Sequence, residues 1–499
     1  MANDSPILII GAGVVGLALA QGLKKEGIPF RIFERDEHID ARGHGWAITL
    51  WVFEALDACL PASMIGRLGA TEVDPTSARR KLAKFCYLNL ADGSKLFDIE
   101  VPRQRRINRE KFRKLMLDGI DVEWNKQISG VQVLESGVRA TFLDGTSAEG
   151  IMVIGADGAT SMTRRLLCPD SGDLEQLPVR FMGVTIRLTP EQIAPLRAVD
   201  PMLFQGTHPE TNTFLWYSLL DTPEVNGSTG KNEYYDCQLN ISWPYNGPED
   251  ELPATNKERV VKMKELAQPY KAEFRQAFMY IPDDAEVTEI KLRDWRHMQW
   301  PSHNGRTTLI GDAAHAMVMY RGEAANHGVT DAHLLRDLLA EHYRSLSTDQ
   351  IVPLDNVIQR YEEEMKDRAG WSVRKSRGAC LDAHEWSKIN PESDLFAFRA
   401  QSKLNGHSSR LLLIEGDFRD QTFIEMLRDF APSHPDGLAD VVLFATLHHS
   451  LRPMQSPSAA SLALSIECFI SIFSALGTDD TTRQVRSTHV PAVRSDVCH

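Results

Sequence analysis

The stretch 5–36, SPILIIGAGVVGLALAQGLKKEGIPFRIFERD, constrains the fold more than any other part of the chain. Residues 7–10 form a continuous apolar run, which is typical of a strand buried on both faces. A glycine motif follows at once and consists of Gly11, Gly13 and Gly16. A helical pattern then leads to a second apolar strand at 30–33, which Glu34 ends. This order predicts a βαβ unit that binds a dinucleotide.

Each residue of this motif has a predicted role. Gly11 permits the tight turn, Gly13 lets the backbone approach a pyrophosphate, and Gly16 lets the helix pack closely on the strand. The start of the helix faces the phosphates, and Glu34 is placed to accept hydrogen bonds from a ribose diol. An acidic residue at this position favours an unphosphorylated ribose, as in FAD or NAD. The motif alone leaves those two cofactors open.

Two later motifs combine a buried strand with a loop of small residues. The first, IMVIGADGATSMTRR at 151–165, carries Asp157. The second, TTLIGDAAHA at 307–316, delivers Asp312 into a loop that is rich in glycine and alanine. Small side chains let a backbone approach a flat or bulky group, and a helix beginning near Asn326 would offer free N–H groups to negative charge. Together these features predict a cofactor that rests on the second loop.

The three motifs in this order resemble those of the FAD-dependent aromatic hydroxylase family, the single-component class A flavoprotein monooxygenases. The salicylate hydroxylase-like monooxygenases of fungal secondary metabolism look most similar, and the resemblance covers about residues 5–390. It implies an α/β fold in which a Rossmann-like FAD-binding domain is interleaved with a mixed β-sheet substrate domain and followed by a helical C-terminal part. The implied boundaries are 1–176 and 291–390 for the two FAD-binding parts, 177–290 for the substrate domain, and 391–499 for an extension without an assigned role.

The resemblance also implies which residues hold the cofactor. The pyrophosphate would lie on the three glycines and the adenosine ribose on Glu34. Asp157 would serve both FAD and NAD(P)H, and Asp312 would hydrogen-bond the ribityl chain. The other residues implied to contact FAD are Arg42, Gly45, Ala47, Arg109 and Ala325. For Arg109 the alternative is a solvated position on a basic helix face.

The second loop departs from the family pattern. Met319 stands where the family usually has proline, which loosens the fixed φ of the loop, and Ala324 adds a methyl group where glycine is usual. Arg321 and Glu323 are unusual charges for this loop, and either a mutual surface pair or an active-site contact would explain them. His315 is interpreted as a structural hydrogen-bonding residue rather than as a base.

Residues 177–245 alternate in the manner of half-buried strands and are rich in aromatic residues. In the family, such a sheet covers the flavin and builds the substrate pocket. Tyr217 and Arg187 lie on these strands and are the candidate catalytic residues, as a base or hydrogen-bond partner for a substrate phenol. The alternative for each is a purely structural role.

The resemblance implies a reaction as well. NAD(P)H reduces FAD, O2 adds to the reduced flavin as a C4a-hydroperoxide, and its distal oxygen hydroxylates or epoxidises an aromatic or polyketide-like small molecule. The sequence carries no second GxGxxG motif, which favours a hydroxylase over flavoproteins with a separate NADPH domain. Two alternatives stay open: an FAD oxidase or dehydrogenase that inserts no oxygen, and a non-catalytic flavin-binding regulator.

The composition narrows the partners and the location. The 499-residue chain has a net charge of −13, which argues against nucleic acid as a partner. Its seven cysteines include no CxxC pair, so reduced intracellular thiols, a cytoplasmic location and no metal site are expected. The start of the chain lacks the basic stretch of a signal peptide. The apolar segment 461–476 contains Glu467 and predicts a buried or interfacial helix, with a membrane tail anchor as the alternative.

Overall fold

The computed structural model describes residues 5–41, 46–76, 83–101 and 104–397, which all belong to one compact unit, Met1–Ser402. The predicted cofactor contacts of Arg42 and Gly45 lie outside the described residues, and so does the apolar segment at 461–476. Within the described ranges, every helix is too short or too polar to span a lipid bilayer.

The first described elements are a strand, a helix and a second strand, and further along the chain several strands or several helices follow one another directly. The strands are β1 (Ile7–Ile10), β2 (Phe30–Phe33), β3 (Ala47–Leu50), β4 (Ala83–Asn89), β5 (Lys95–Val101), β6 (Arg105–Asn108), β7 (Val122–Glu123), β8 (Ile128–Leu134), β9 (Gly137–Phe142), β10 (Ser147–Gly150), β11 (Met152–Gly155), β12 (Glu175–Gln176), β13 (Val179–Leu188), β14 (Leu203–Thr207), β15 (Phe214–Asp221), β16 (Tyr235–Pro244), β17 (Val287–Glu289), β18 (Arg293–Asp294) and β19 (Thr307–Leu309). The α-helices are α1 (Val14–Glu26), α2 (Phe53–Cys59), α3 (Ala62–Ile65), α4 (Arg109–Met116), α5 (Met162–Leu167), α6 (Pro190–Val199), α7 (Pro223–Asn226), α8 (Asn256–Leu266), α9 (Ala272–Met279), α10 (Asp312–His315), α11 (Ala324–Ser345) and α12 (Leu354–Asp382).

The strand predicted at 7–10 lies at the centre of a five-stranded parallel sheet with the order β19-β11-β1-β2-β7. All four residues of β1 are buried, as their continuous apolar run requires. Parallel neighbours need a crossover connection, and α1 supplies it between β1 and β2. The carboxyl ends of β1, β11 and β19 therefore meet at one edge of the sheet, where the loops of the three sequence motifs begin. This arrangement confirms the predicted α/β fold.

A second, mixed sheet has seven strands in the order β17-β13-β16-β15-β14-β4-β5. The alternating pattern at 177–245 correctly predicted β13 to β16. Strands β4 and β5 come from residues 83–101, however, and β4 pairs in parallel with β14. The sheet is therefore not confined to residues 177–290. The sequence did not predict this pairing, because two strands that are far apart in the chain can pair without any effect on the local residue pattern of either.

The second sheet has a polar face and an apolar face, since successive side chains of a strand point in opposite directions. The polar face of β16 consists of Gln238, Asn240 and Ser242. The opposite face is apolar and packs in one core with α6, α8 and α9. Trp216 of β15 pairs with Asn240, and Gln205 of β14 pairs with Trp216, so the polar face continues across these two strands.

The charged helix predicted at 361–383 is the second part of α12. The structure begins this helix earlier, at Leu354, with Pro353 at the N-cap. Proline is well tolerated at the start of a helix because its missing N–H has no partner there in any case. The helix packs against α11 and so supports the element that follows the second loop.

Candidate active site

Residues from both sheets line a cavity of about 1180 Å³. The parallel sheet contributes the loops that follow its strands, and the second sheet contributes the polar face of β14 and β15. Most small-ligand pockets measure roughly 300–1,000 Å³. A cavity of this size has room for a dinucleotide cofactor together with a second small molecule.

The three glycines of the first motif have different surroundings. A Cβ atom at Gly16 would lie 1.9 Å from the carbonyl oxygen of Gly11, so α1 packs directly on the loop. Gly11 has a φ of 111°, and a Cβ atom there would lie 2.5 Å from the carbonyl oxygen of Ala156. A Cβ atom at Gly13, by contrast, would meet no atom of the described chain within 4 Å, and Gly13 lines the cavity. This open space beside a backbone at a helix start fits a pyrophosphate.

Glu34 lines the same part of the cavity and is buried. Its carboxylate accepts hydrogen bonds from the backbone N–H groups of Ala12, at 2.8 Å, and Asp36, at 3.2 Å. Arg113 Nη2 lies 3.5 Å from Glu34 Oε2. The carboxylate therefore holds the glycine loop to the end of β2, in addition to the ribose contact predicted for it.

Arg109 is the first residue of α4 and lines the cavity beside the glycine loop. Arg113, one helical turn further on, also lines the cavity, and its Nε donates a hydrogen bond of 2.8 Å to the carbonyl oxygen of Ala12. Arg113 is not among the site residues predicted from the sequence. The spacing of four residues, which places two side chains on one helix face, could have identified it.

Asp157 lines the cavity, but its carboxylate also caps α5. It accepts hydrogen bonds from the backbone N–H groups of Met162, at 2.8 Å, and Thr163, at 3.0 Å. Nearby, the fully buried Arg164 donates from Nη1 to the carbonyl oxygen of Ala313 at 3.1 Å. This bond connects the second motif directly to the third, so Arg164 holds the two loops together.

Asp312 begins the short helix α10 and lines the cavity. Its side chain is partly accessible through the cavity. Burial nevertheless removes much of the water around its carboxyl group, which raises the pKa of that group. A group with these properties fits the predicted contact with the hydroxyls of a ribityl chain, because it can accept hydrogen bonds within a region that excludes bulk water.

The loop that carries Asp312 is fixed by a buried carboxylate, Asp331 of α11. Asp331 Oδ2 accepts a hydrogen bond of 2.8 Å from the Gly311 N–H and lies 2.7 Å from His315 Nε2. Arg368 Nη2 donates to the other oxygen at 2.7 Å. Burial alone would raise the pKa of the Asp331 carboxyl, but His315 and Arg368 hold that pKa well below its usual range. The geometry of His315 is that of a structural hydrogen-bonding residue.

Arg321 and Glu323 form the mutual pair that the sequence suggested, but they are not on the surface. Both residues are 2% exposed, and two hydrogen bonds of 3.0 Å join the guanidinium to the carboxylate. Arg321 Nη1 also donates to the carbonyl oxygens of Asp394 and Ala397. Both Arg321 and Glu323 line the cavity, so the surface alternative is wrong and the pair is part of the site.

Helix α11 begins at Ala324, two residues before the predicted start. Ala324 and Ala325 line the cavity, so the positive end of a 22-residue helix faces it. Ala47, at the start of β3, and Met319, in a short 3-10 helix, line the cavity as well. Ala47 and Ala325 therefore lie on the cavity wall, and their contacts with a cofactor stay predictions.

The structure does not bring Tyr217 to the cavity. Its side chain is fully buried on the apolar face of the second sheet, where it stacks on Phe204 with ring centroids 4.9 Å apart. Trp216, one residue earlier, is the aromatic residue of β15 that lines the cavity. Adjacent residues of a strand point to opposite faces of the sheet, so an error of one residue assigns the side chain to the face away from the cavity.

Arg187 also lies away from the cavity, for a different reason. It occupies the end of β13, where its side chain is 68% exposed and its Nε lies 3.4 Å from Asp236 Oδ1. Its guanidinium also covers the ring of Tyr234, 4.6 Å from the centroid. The residue belongs to the predicted strand but sits at the wrong end of it, so the geometry supports a structural role.

Comparisons with known proteins agree with this site. A family model described as an FAD binding domain matches residues 4–376. An FAD-dependent monooxygenase, dbaB, from Emericella nidulans is 45% identical over 343 residues, which cover 67% of this chain and 87% of that protein. A probable FAD-dependent monooxygenase from Arthroderma benhamiae is 40% identical over 409 residues, covering 79% of this chain and 95% of that protein.

A solved structure shows the same fold at much lower identity. The 2,6-dihydroxypyridine-3-hydroxylase from Arthrobacter nicotinovorans superimposes with a TM-score of 0.62 at 17% identity, covering 81% of this chain and 99% of that one. The chain therefore belongs to the FAD-binding domain family and, within it, to the FAD-dependent monooxygenases. The first motif left FAD and NAD open as the bound cofactor, and the family membership decides for FAD. The use of NAD(P)H as a co-substrate stays a prediction.

Proposed function

We propose that the protein uses NAD(P)H and O2 to hydroxylate or epoxidise an aromatic or polyketide-like small molecule of secondary metabolism. The observation that carries this proposal is the cavity itself, because a dinucleotide-binding loop and the aromatic, polar face of a separate sheet line the same space. The relatives from Emericella nidulans and Arthroderma benhamiae, which carry the name FAD-dependent monooxygenase, support the same reaction class. Hydride acceptance from NAD(P)H and activation of O2 are supplied by FAD when it is bound.

The chain's own residues would bind and orient that cofactor. Gly13 and the first N–H groups of α1 would hold the pyrophosphate, Glu34 the adenosine ribose, and Asp312 the ribityl chain. The start of α11, at Ala324, would stabilise negative charge on the cofactor through the helix dipole. Arg42 and Gly45 keep their predicted contacts as part of this proposal.

The second sheet would orient the substrate and limit the access of water. Trp46, Trp216 and Leu292 give this part of the cavity an apolar lining, which favours an aromatic substrate and excludes solvent from the reacting atoms. Tyr217 and Arg187 have no catalytic role in this proposal, because neither side chain lines the cavity. A cytoplasmic location completes it, since the described cysteines form no disulfide.

Labelled oxygen tests the proposed reaction against oxidase chemistry. The FAD-loaded protein is supplied with NADPH, ¹⁸O2 and a series of hydroxylated naphthalenes and anthraquinones, and products are analysed by mass spectrometry. A monooxygenase puts one labelled atom into the product for each NADPH consumed. Stoichiometric hydrogen peroxide with an oxidised but unlabelled product would instead establish the oxidase alternative.

A further inference from the structure

The buried pair of Arg321 and Glu323 has no role in the proposed function so far, although both residues line the cavity. Gly322 between them has a φ of 66°, in the left-handed region that glycine adopts readily, and this turn lets the two side chains meet. Arg321 Nε and Nη2 each donate a hydrogen bond of 3.0 Å to one carboxylate oxygen of Glu323. The loop therefore holds one positive and one negative charge at a fixed place in the cavity wall.

Burial favours an electrostatic role for this pair. The side chains of Arg321 and Glu323 are 0% and 1% exposed. Withdrawing two charges from water is costly, and apolar side chains in their place are often no less stable. A buried charge acts over a longer distance than an exposed one, however, because little water screens it. We therefore expect the pair to act on a charge that develops elsewhere in the cavity.

Glu323 stands at the N-cap of α11, and its side chain makes no capping hydrogen bond. The carboxylate turns back to Arg321 instead, so the first N–H groups of the helix keep their partial positive charge. Ala324 and Ala325, the first residues of the helix, line the cavity. The helix end carries only about half an elementary charge, so a carboxylate without a cation beside it would offset that positive charge. Arg321 prevents this loss.

Arg321 has contacts that fix its guanidinium independently of Glu323. Its Nη1 donates to the carbonyl oxygens of Asp394 and Ala397, and the guanidinium lies over the ring of Trp371, 5.3 Å from the centroid. Within the described part of the chain, Arg321 is the only cation at ion-pair distance from Glu323. Glu323 thus depends on Arg321 for compensation, whereas Arg321 keeps other partners when Glu323 is changed.

We propose that Arg321 and Glu323 set the reduction potential of the bound FAD by keeping the start of α11 free of net negative charge. The assignment rests on the proposed function, which places the cofactor beside this helix end. Hydride transfer from NAD(P)H delivers two electrons and one proton to oxidised FAD and leaves NAD(P)+, so the reduced cofactor gains one negative charge. The helix end stabilises that charge, while Arg321 cancels the opposing charge of Glu323. Neither side chain has to touch FAD for this effect.

Glu323→Gln tests the proposal most directly. Glutamine has nearly the same shape and still accepts a hydrogen bond, and Arg321 keeps its carbonyl contacts, so the variant is expected to fold and to bind FAD. The unopposed cation then favours reduced FAD. A unit charge within about 10 Å, at an effective dielectric constant of about 20, changes an equilibrium roughly tenfold.

The measured quantity is the ratio of the dissociation constants of oxidised and reduced FAD. In Glu323→Gln this ratio should rise at least about tenfold, which raises the two-electron reduction potential by about 30 mV. Anaerobic reduction with dithionite in the presence of a reference dye gives the potential without turnover.

The complementary variants test the sign of the effect. Arg321→Gln leaves Glu323 uncompensated, so the ratio should fall at least about tenfold. The double variant Arg321→Gln/Glu323→Gln has the net charge of the wild type and should return to within about threefold of its ratio. The double variant contains no unpaired charge at this place, so it stays measurable if Arg321→Gln fails to fold. A purely structural pair would weaken FAD binding in all three variants without these opposite signs.

Arg336→Gln and Glu26→Gln are the matched controls, because these two residues form a pair at 2.6 Å on the same helix and neither lines the cavity. Arg336 lies about 18 Å along the helix from Ala324. This distance exceeds the Debye length of about 10 Å at 0.1 M salt. Each control should change the ratio by less than about twofold.

The outcomes separate the two proposals. A wild-type protein that binds FAD but is not reduced by NADPH would contradict the proposed function, while dithionite would still give the potential. The charge assignment is overturned if Glu323→Gln lowers the ratio or changes it by less than about twofold. It is also overturned if the double variant keeps the full shift of Glu323→Gln.

Discussion

The substitution Gly16→Ala is expected to lower the free energy of unfolding by about 3 kcal/mol or more. The added methyl group would lie 1.9 Å from the carbonyl oxygen of Gly11, and that oxygen belongs to the backbone of the loop and cannot rotate away. The helix α1 must therefore move off the sheet, which disturbs the core of the nucleotide-binding domain. Urea denaturation of the apoprotein, followed by tryptophan fluorescence, measures the change.

Gly13→Ala is the matched control for this prediction, because it places the same methyl group in the same motif. No described atom lies within 4 Å of that methyl group, so the free energy of unfolding of the apoprotein should change by less than about 1 kcal/mol. The methyl group does occupy the space assigned to the pyrophosphate, so FAD affinity should fall at least about tenfold. Equal loss of stability in the two variants would show that the loop geometry described here is incorrect.

The substitution Asp331→Asn is expected to cost about 3–5 kcal/mol of stability, because it removes the carboxylate from a buried network. Arg368 would lose the buried carboxylate at 2.7 Å and keep only its pair with the more exposed Glu364, and His315 would lose the contact that orients it. The loop that carries Asp312 would become less ordered, so FAD should dissociate faster as well. Thermal unfolding of the apoprotein and the release rate of FAD provide the two measurements.

The pH dependence of this effect has a definite sign. The pKa of Asp331 is lower in the folded protein than in the unfolded chain, so the unfolded chain takes up the proton first. The contribution of the carboxylate is thus complete above its unfolded pKa, which is about 3.9, and declines as the pH falls below that value. The stability difference between the wild type and Asp331→Asn should be constant from about pH 6 to 8 and should narrow below about pH 4.

Asp337→Asn is the appropriate comparison, since Asp337 lies on the same helix. Its side chain is 48% exposed, and it pairs with His333 at 3.0 Å. Exposed pairs contribute little, so this change should cost less than about 1 kcal/mol. If the two substitutions have the same effect, the network around Asp331 does not hold the loop.

The sequence predicted which residues of the parallel sheet line the cavity because its signals are local. The run at 7–10, the glycines and Glu34 lie within one βαβ unit, and each constraint acts on the backbone of that unit. The positions of Asp157 and Asp312 follow in the same way, as each comes directly after a buried strand of the same sheet. These residues converge because parallel strands end at one edge.

The residues of the second sheet could not be placed in this manner. Trp216 and Tyr217 are both aromatic and adjacent, so the local pattern does not say which of them faces the cavity. Their orientation is decided by the register with β16, where Asn240 pairs with Trp216. The burial of Arg106 could not be predicted either. The sequence shows only a run of basic residues, and the tertiary structure buries this one.

The most direct test of the account is the visible absorption spectrum of the purified, FAD-supplemented protein before and after anaerobic addition of NADPH. The structure and the family predict a yellow protein with two flavin bands that bleach on reduction, and an equimolar amount of FAD released on denaturation. A protein that stays colourless after FAD is added and removed by gel filtration would contradict the assignment of the cavity to a flavin.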